Sequence, residues 1–145
     1  LGAVADGKAV ATMVAATKRA HSDRRCGTAL ASVATRPAYA ALTAELRRTM
    51  AARRVPPQYV SALVGLARKP YFERERVVAL LAQLLADRQQ GWISRERAAR
   101  ALGALGARAE LQRVQAGYRD AREGKRSGGP ETRVADEIAR QLAGD

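Results

Sequence analysis

Apolar residues recur along this chain at a fixed spacing. Four stretches open with leucine: LGAVADGKAV from Leu1, LASVATRPAY from Leu30, LVGLARKPYF from Leu63 and LGALGARAEL from Leu102. Three residues on stand Val4, Val33, Leu66 and Leu105; nine residues on stand Val10, Tyr39, Phe72 and Leu111. Between them lies a small or polar hinge, and the stretches follow one another at 29, 33 and 39 residues. Self-similarity at such a period marks a stacked repeat architecture.

Each unit reads as two helices around its hinge, near residues 5–7, 34–37, 67–70 and 106–108. Ala98, Ala101, Leu102 and Leu105 form the i, i+3, i+4, i+7 stripe of a half-buried helix, and Leu111, Val114 and Tyr118 resume it beyond the hinge. Asp6 and Thr35 are placed to cap second helices, and Ser22 and Ser94 first ones. Pro37 and Pro56 suit a first helical turn. Ile93 is placed to staple onto Ala98. The third unit departs from the pattern: Arg68 takes the capping position and Glu75 an apolar one, which predicts a longer or shifted helix carrying Val77, Val78, Leu80, Leu81, Leu84 and Leu85. In the fourth unit Ala107 replaces the capping residue. Leu1 falls inside a first helix, so the reading expects further chain upstream of it.

The form RERAARALGALGARAELQRV at Arg95–Val114 resembles a HEAT repeat of the short bacterial kind, and DRRCGTALASVATRPAYAALTAEL at Asp23–Leu46 is similar. The resemblance covers most of residues 1–122 and implies an all-α fold, a right-handed α-solenoid of about four antiparallel helix pairs. Residues 123–129 read as a flexible, basic, glycine-rich loop. Residues 130–145 read as a closing helix, with Val134, Ile138 and Leu142 at four-residue spacing.

Composition agrees with a helical reading. Of 145 residues, 47% are hydrophobic but only 4% aromatic, so the core must come from Ala, Leu and Val, which suits closely packed helices better than a β-sandwich. Charge changes the picture more. There are 26 Lys and Arg against 14 Asp and Glu, a net of +12 that attracts polyanions. The excess is uneven: residues 1–75 hold 13 basic and 5 acidic side chains, and residues 76–145 hold 13 and 9.

Candidate chemistry is sparse. Cys26 and His21 are the only residues of their kinds, too few for a zinc or iron–sulfur site, and they read as a core thiol and a surface imidazole. EGKRSGG lacks the strand and spacing of a phosphate-binding loop. Glu73 and Glu75 fall on different sides of a helix; with Asp136 and Glu137 they read as helix starts or partners of arginine. No cofactor and no metal are expected. One basic pattern stands out. Lys18, Arg47 and Arg119 each fall seventeen residues after their unit's leucine; Arg19 and Arg48 follow the first two, with Arg24, Arg25, Arg53 and Arg54 nearby. In a stacked array these residues would form a basic row able to follow phosphates. They also sit where cations complement helix C-termini.

The resulting expectation is a non-enzymatic, cytoplasmic binding scaffold without a membrane span, holding an acidic protein partner. Nucleic-acid binding along the basic row is the alternative. HEAT-like alkylpurine DNA glycosylases bind in that way, and the resemblance to them stops at repeat architecture, since their catalytic acidic and aromatic residues have no counterpart here. Bilin lyases share the short repeat, but fold alone does not assign their activity.

Overall fold

A computed structural model of the chain describes residues 36–119 and 129–144. Every regular element among the described residues is helical: six α-helices and one turn of 3-10 helix, with no strand. The chain divides into two compact units, Leu1–Arg74 and Glu75–Asp145.

In the first unit, α1 (Arg36–Ala51) and α2 (Pro57–Gly65) pack together. Tyr39, Leu42 and Leu46 form the buried stripe of α1, and Tyr59, Val60, Ala62 and Leu63 of α2, with Leu66 just beyond it, are buried as well. Pro57 opens α2, where a missing N–H costs nothing. Tyr39, near the start of α1, packs its ring against Tyr71 and Phe72, which follow α2, at centroid distances of 6.0 and 5.7 Å. Its hydroxyl accepts the Glu73 N–H at 3.1 Å. The chain thus returns from the end of α2 to the beginning of α1, and the two helices run antiparallel.

The second unit holds most of α3 (Arg74–Ala86), then α4 (Trp92–Ala104), α5 (Arg108–Gln115), the 3-10 turn Ala116–Tyr118 and α6 (Pro130–Ala143). α3 buries Val77, Val78, Leu80, Leu81, Leu84 and Leu85. α4 buries Ala98, Ala99, Ala101 and Leu102, and α6 lays Val134, Ala135, Ile138 and Leu142 into the core. α4 packs on both α5 and α6. Small residues on α4 permit the close approach of α6: a Cβ at Gly103 would lie 3.1 Å from the Cβ of Gln141.

Two helices end with the same hydrogen-bonded turn. After α4, the N–H of Ala107 donates to Leu102 and that of Gly106 to Gly103, both at 2.9 Å. After α1, the N–H of Arg54 donates to Thr49 and that of Arg53 to Met50, both at 3.0 Å. The pattern is the Schellman motif, whose penultimate residue takes a left-handed conformation. Gly106 fills that place with φ 67°; in α1 it falls to Arg53, with φ 54°, the one non-glycine residue of positive φ among those described. A side chain there costs about 1–2 kcal/mol against the right-handed alternative.

Three local expectations are corrected. Ser94 does not cap α4: Gly91 precedes the helix, no side chain caps it, and Ser94 lies buried one turn inside. A turn held by Asp87, whose carboxylate accepts from the Gln89 N–H (3.0 Å) and the Gln90 amide (3.0 Å), delivers the chain early enough for Trp92 to begin the helix. Ile93 makes no staple. It is 46% exposed, because it shares its helical face with Arg97, Arg100 and Ala104 while Arg95, Ala98 and Leu102 occupy the inner one. Pro56 stands just ahead of α2 and Pro57 takes the first turn. The expected repeat elements before residue 36, and the loop expected at 123–129 up to residue 128, lie outside the described residues.

Candidate functional site

The charged residues of the two units behave differently. Within residues 36–74 there are eight cations (Arg36, Arg47, Arg48, Arg53, Arg54, Arg68, Lys69 and Arg74), and all eight are exposed. Only two acids accompany them, a net of +6, and Glu45 is buried. Glu45 receives Arg48 through two hydrogen bonds of 2.9 and 2.7 Å, an i, i+3 pair that raises the Arg48 pKa above its ordinary value. Among the described residues, the side chains of Arg36, Arg47, Arg53, Arg54, Arg68 and Lys69 have no hydrogen-bond or ion-pair partner.

These free cations occupy both ends of the α1–α2 hairpin. Arg47, Arg53 and Arg54 cluster where α1 ends, beside the paired Arg48. Arg68 and Lys69 follow α2, and Arg36 begins α1. α1 has 16 residues; at 1.5 Å per residue the two ends stand about 24 Å apart. No large hydrophobic side chain in the described part of this unit is exposed, Ile93 of the other unit being the sole example among the described residues.

The cations of the second unit are largely committed to the fold. Arg95 is 2% exposed. It meets Glu131 in two hydrogen bonds of 2.8 and 2.5 Å, donates to the Tyr118 hydroxyl at 2.9 Å and to the Gln90 carbonyl at 3.0 Å. Burial opposes its charge, yet these bonds outweigh burial and hold its pKa above the ordinary arginine value. The Tyr118 hydroxyl in turn donates to the Leu85 carbonyl at 2.6 Å, and burial raises its pKa. Arg88 lies over the Tyr118 ring, 4.5 Å from its centroid, and donates to the Gly117 carbonyl. Arg100 and Arg140 both reach buried Glu137, at 3.1 and 2.5 Å, and the Gln141 amide donates to the same carboxylate at 2.8 Å. Arg133 covers Trp92 at 5.2 Å. The Arg95–Glu131–Tyr118 network joins α4, α6 and the end of α3, with each of its polar groups engaged by the others; its geometry is that of an internal brace.

Of the residues singled out for the basic row, Arg47, Arg48, Arg53 and Arg54 come together at one end of α1. Arg119 is exposed beyond the 3-10 turn and belongs to the other unit. Lys18, Arg19, Arg24 and Arg25 lie outside the described residues, as do His21 and Cys26. Glu73 precedes α3, Glu75 lies in its first turn, and Asp136 is exposed on α6. Among the described residues no three of His, Cys, Asp and Glu gather as metal ligands, and no helix is long and apolar enough to cross a membrane. Sequence reasoning passed over Arg36, Arg68 and Lys69, which fit no seventeen-residue register. It also passed over Arg95, although a cation on the inward stripe three residues before Ala98 is itself a signal of a buried ion pair. No protein-family model matches the chain, nor does any curated protein or solved structure.

Proposed function

We propose that this chain is a non-enzymatic binding scaffold of HEAT-like helix pairs in a right-handed α-solenoid, whose first unit holds the phosphate backbone of a nucleic acid without regard to sequence. The recurring leucine spacing supports the solenoid part of this reading. The observation that carries the binding part is the division of the cations: six of the eight in residues 36–74 are exposed and have no partner among the described residues, whereas in the second unit Arg88, Arg95, Arg100 and Arg140 are drawn into ion pairs and only Arg108, Arg113 and Arg119 are exposed without a partner among the described residues.

A linear polyanion matches free cations spread over about 24 Å, the length of about seven base pairs at 3.4 Å each. Seven of the eight cations are arginine, whose planar fork engages phosphate with two hydrogen bonds. An acidic protein partner would share the charge. It would also need apolar or aromatic anchors at the centre of its interface, and the described part of this unit exposes no large hydrophobic side chain.

Fluorescence anisotropy of the 145-residue chain with labelled duplex DNA and single-stranded RNA, at about 50 and 200 mM salt, tests the reading. Four to six phosphate contacts predict affinity lost by about a hundredfold to a thousandfold across that range. No binding at the lower salt would remove the nucleic acid and leave the acidic protein.

A further inference from the structure

We infer that the Arg53–Arg54 turn is the anchor of this phosphate-binding surface, with Arg53 held in a left-handed conformation because its guanidinium is needed at that place. The inference rests on the nucleic-acid reading above and assigns its central contact.

The chain supplies its own control. Two other helices end at a residue of positive φ, and both times it is glycine: Gly106 after α4 (67°) and Gly144 after α6 (85°). The turn after α1 makes the same pair of hydrogen bonds as the turn after α4, yet carries Arg53 at φ 54°. Glycine there would satisfy the backbone without strain. Packing does not explain the arginine, because it is exposed and has no side-chain partner among the described residues. The attraction of a cation to a helix C-terminus explains it poorly. Arg47 and Arg54 already stand unpaired at that end, beside Arg48 in its ion pair with Glu45, so a further positive charge adds repulsion to strain. A dense external anion relieves that repulsion.

The turn also decides how the anion is held. The N–H groups of Arg53 and Arg54 are spent on Met50 and Thr49, so the backbone offers no anion nest. Recognition falls to two adjacent guanidinium groups, a pair suited to successive phosphates of one strand.

The test compares the full chain with Arg53→Gly, Arg53→Asn and Arg47→Ala. The first two remove the charge while tolerating the left-handed turn, and the third removes an exposed, unpartnered charge from the same helix end. Binding to a labelled 20-base-pair duplex is followed across salt, and melting temperature is measured without DNA. Both Arg53 variants should melt about 2–4 °C higher. They should bind about tenfold more weakly at 50 mM salt, with the salt slope reduced by about one. Arg47→Ala should lose at most a third of that effect on a logarithmic scale and gain no stability from the turn. Equal losses at Arg47 and Arg53, or an Arg53→Gly chain that melts no higher than the parent, overturn the inference while nucleic-acid binding stands. Failure of the unsubstituted chain to bind duplex or single strand overturns the proposed function itself.

Discussion

Arg95 of α4 and Glu131 of α6 face each other fork to fork, with hydrogen bonds of 2.8 and 2.5 Å. The guanidinium is almost wholly enclosed, while the carboxylate keeps 38% of its surface. Removing the carboxylate strands a buried charge, which is more damaging than losing the pair. Glu131→Ala should therefore destabilise the chain by about 1–3 kcal/mol, less than a fully enclosed pair because Arg95 keeps Gln90 and Tyr118 and water reaches the gap. Urea unfolding at pH 7 measures it. Arg95→Met combined with Glu131→Gln should cost less than the sum of the two single changes, since no charge is then left behind. Additive losses would count against the coupling.

The same pair makes stability depend on acid. The Arg95 hydrogen bond, aided by the Arg95 and Arg88 charges, holds the Glu131 carboxyl below its ordinary 4.5 in spite of partial burial. A carboxyl whose folded pKa is depressed contributes in full above its unfolded value, and the contribution drains away as pH falls through the folded one. The gap in urea midpoint between the parent chain and Glu131→Gln should be constant from neutral pH down to about 5.5 and narrow steadily below 4.5. A gap that does not narrow at all below pH 4.5 would mean the carboxylate is not what Arg95 senses.

The helical class was legible because apolar spacing reports on backbone period, a local property, and the lack of aromatics argues against strands. Leu102 and Leu111 lie buried where their stripes place them, and so do Val134 and Ile138. Start signals were less legible. Ser94 has the chemistry of a cap, but a cap needs the chain to enter the helix there, and the turn held by Asp87 enters three residues earlier, at Gly91. At the candidate site the sequence singled out Arg47, Arg48, Arg53 and Arg54 by number and charge. The spacing does separate Arg48, which Glu45 neutralises from three residues back, from Arg47, which has no such partner. Arg95 is different: its partner Glu131 lies 36 residues along the chain, and spacing within one helix does not encode that contact.

Tyr118 closes the end of α3. The last four carbonyls of a helix have no partner within it, and α3 carries no basic residue in its final turn. The hydroxyl of Tyr118 donates to one of those carbonyls, that of Leu85, while accepting from Arg95. Tyr118→Phe keeps the ring under Arg88 and removes only the oxygen. The expected loss is about 1–2 kcal/mol, read as a lower urea midpoint with unchanged slope. Amide exchange should quicken in the last turn of α3 more than in α2. A uniform change throughout the chain would assign Tyr118 to general packing.

Gly103 sets how closely α4 and α6 approach. In an exposed helix, alanine in place of glycine stabilises by up to about 1 kcal/mol. Here a new Cβ would meet Gln141, 2.7 Å from its Cδ and 3.1 Å from its Cβ. The amide end can swing aside only by giving up its 2.8 Å hydrogen bond to Glu137, and the Cβ moves only if α6 moves. Steric cost and propensity gain therefore oppose each other in Gly103→Ala, with a net loss of about 1 kcal/mol. Gly103→Leu has no offsetting gain of that size and should lose about 3 kcal/mol or more as the helices part. Adding Gln141→Gly to Gly103→Ala clears both contacts and should recover the steric part, less the helix penalty of the new glycine. Thermal melting of the four chains decides the matter: if Gly103→Ala melts above the parent, the two helices are not in limiting contact at this position.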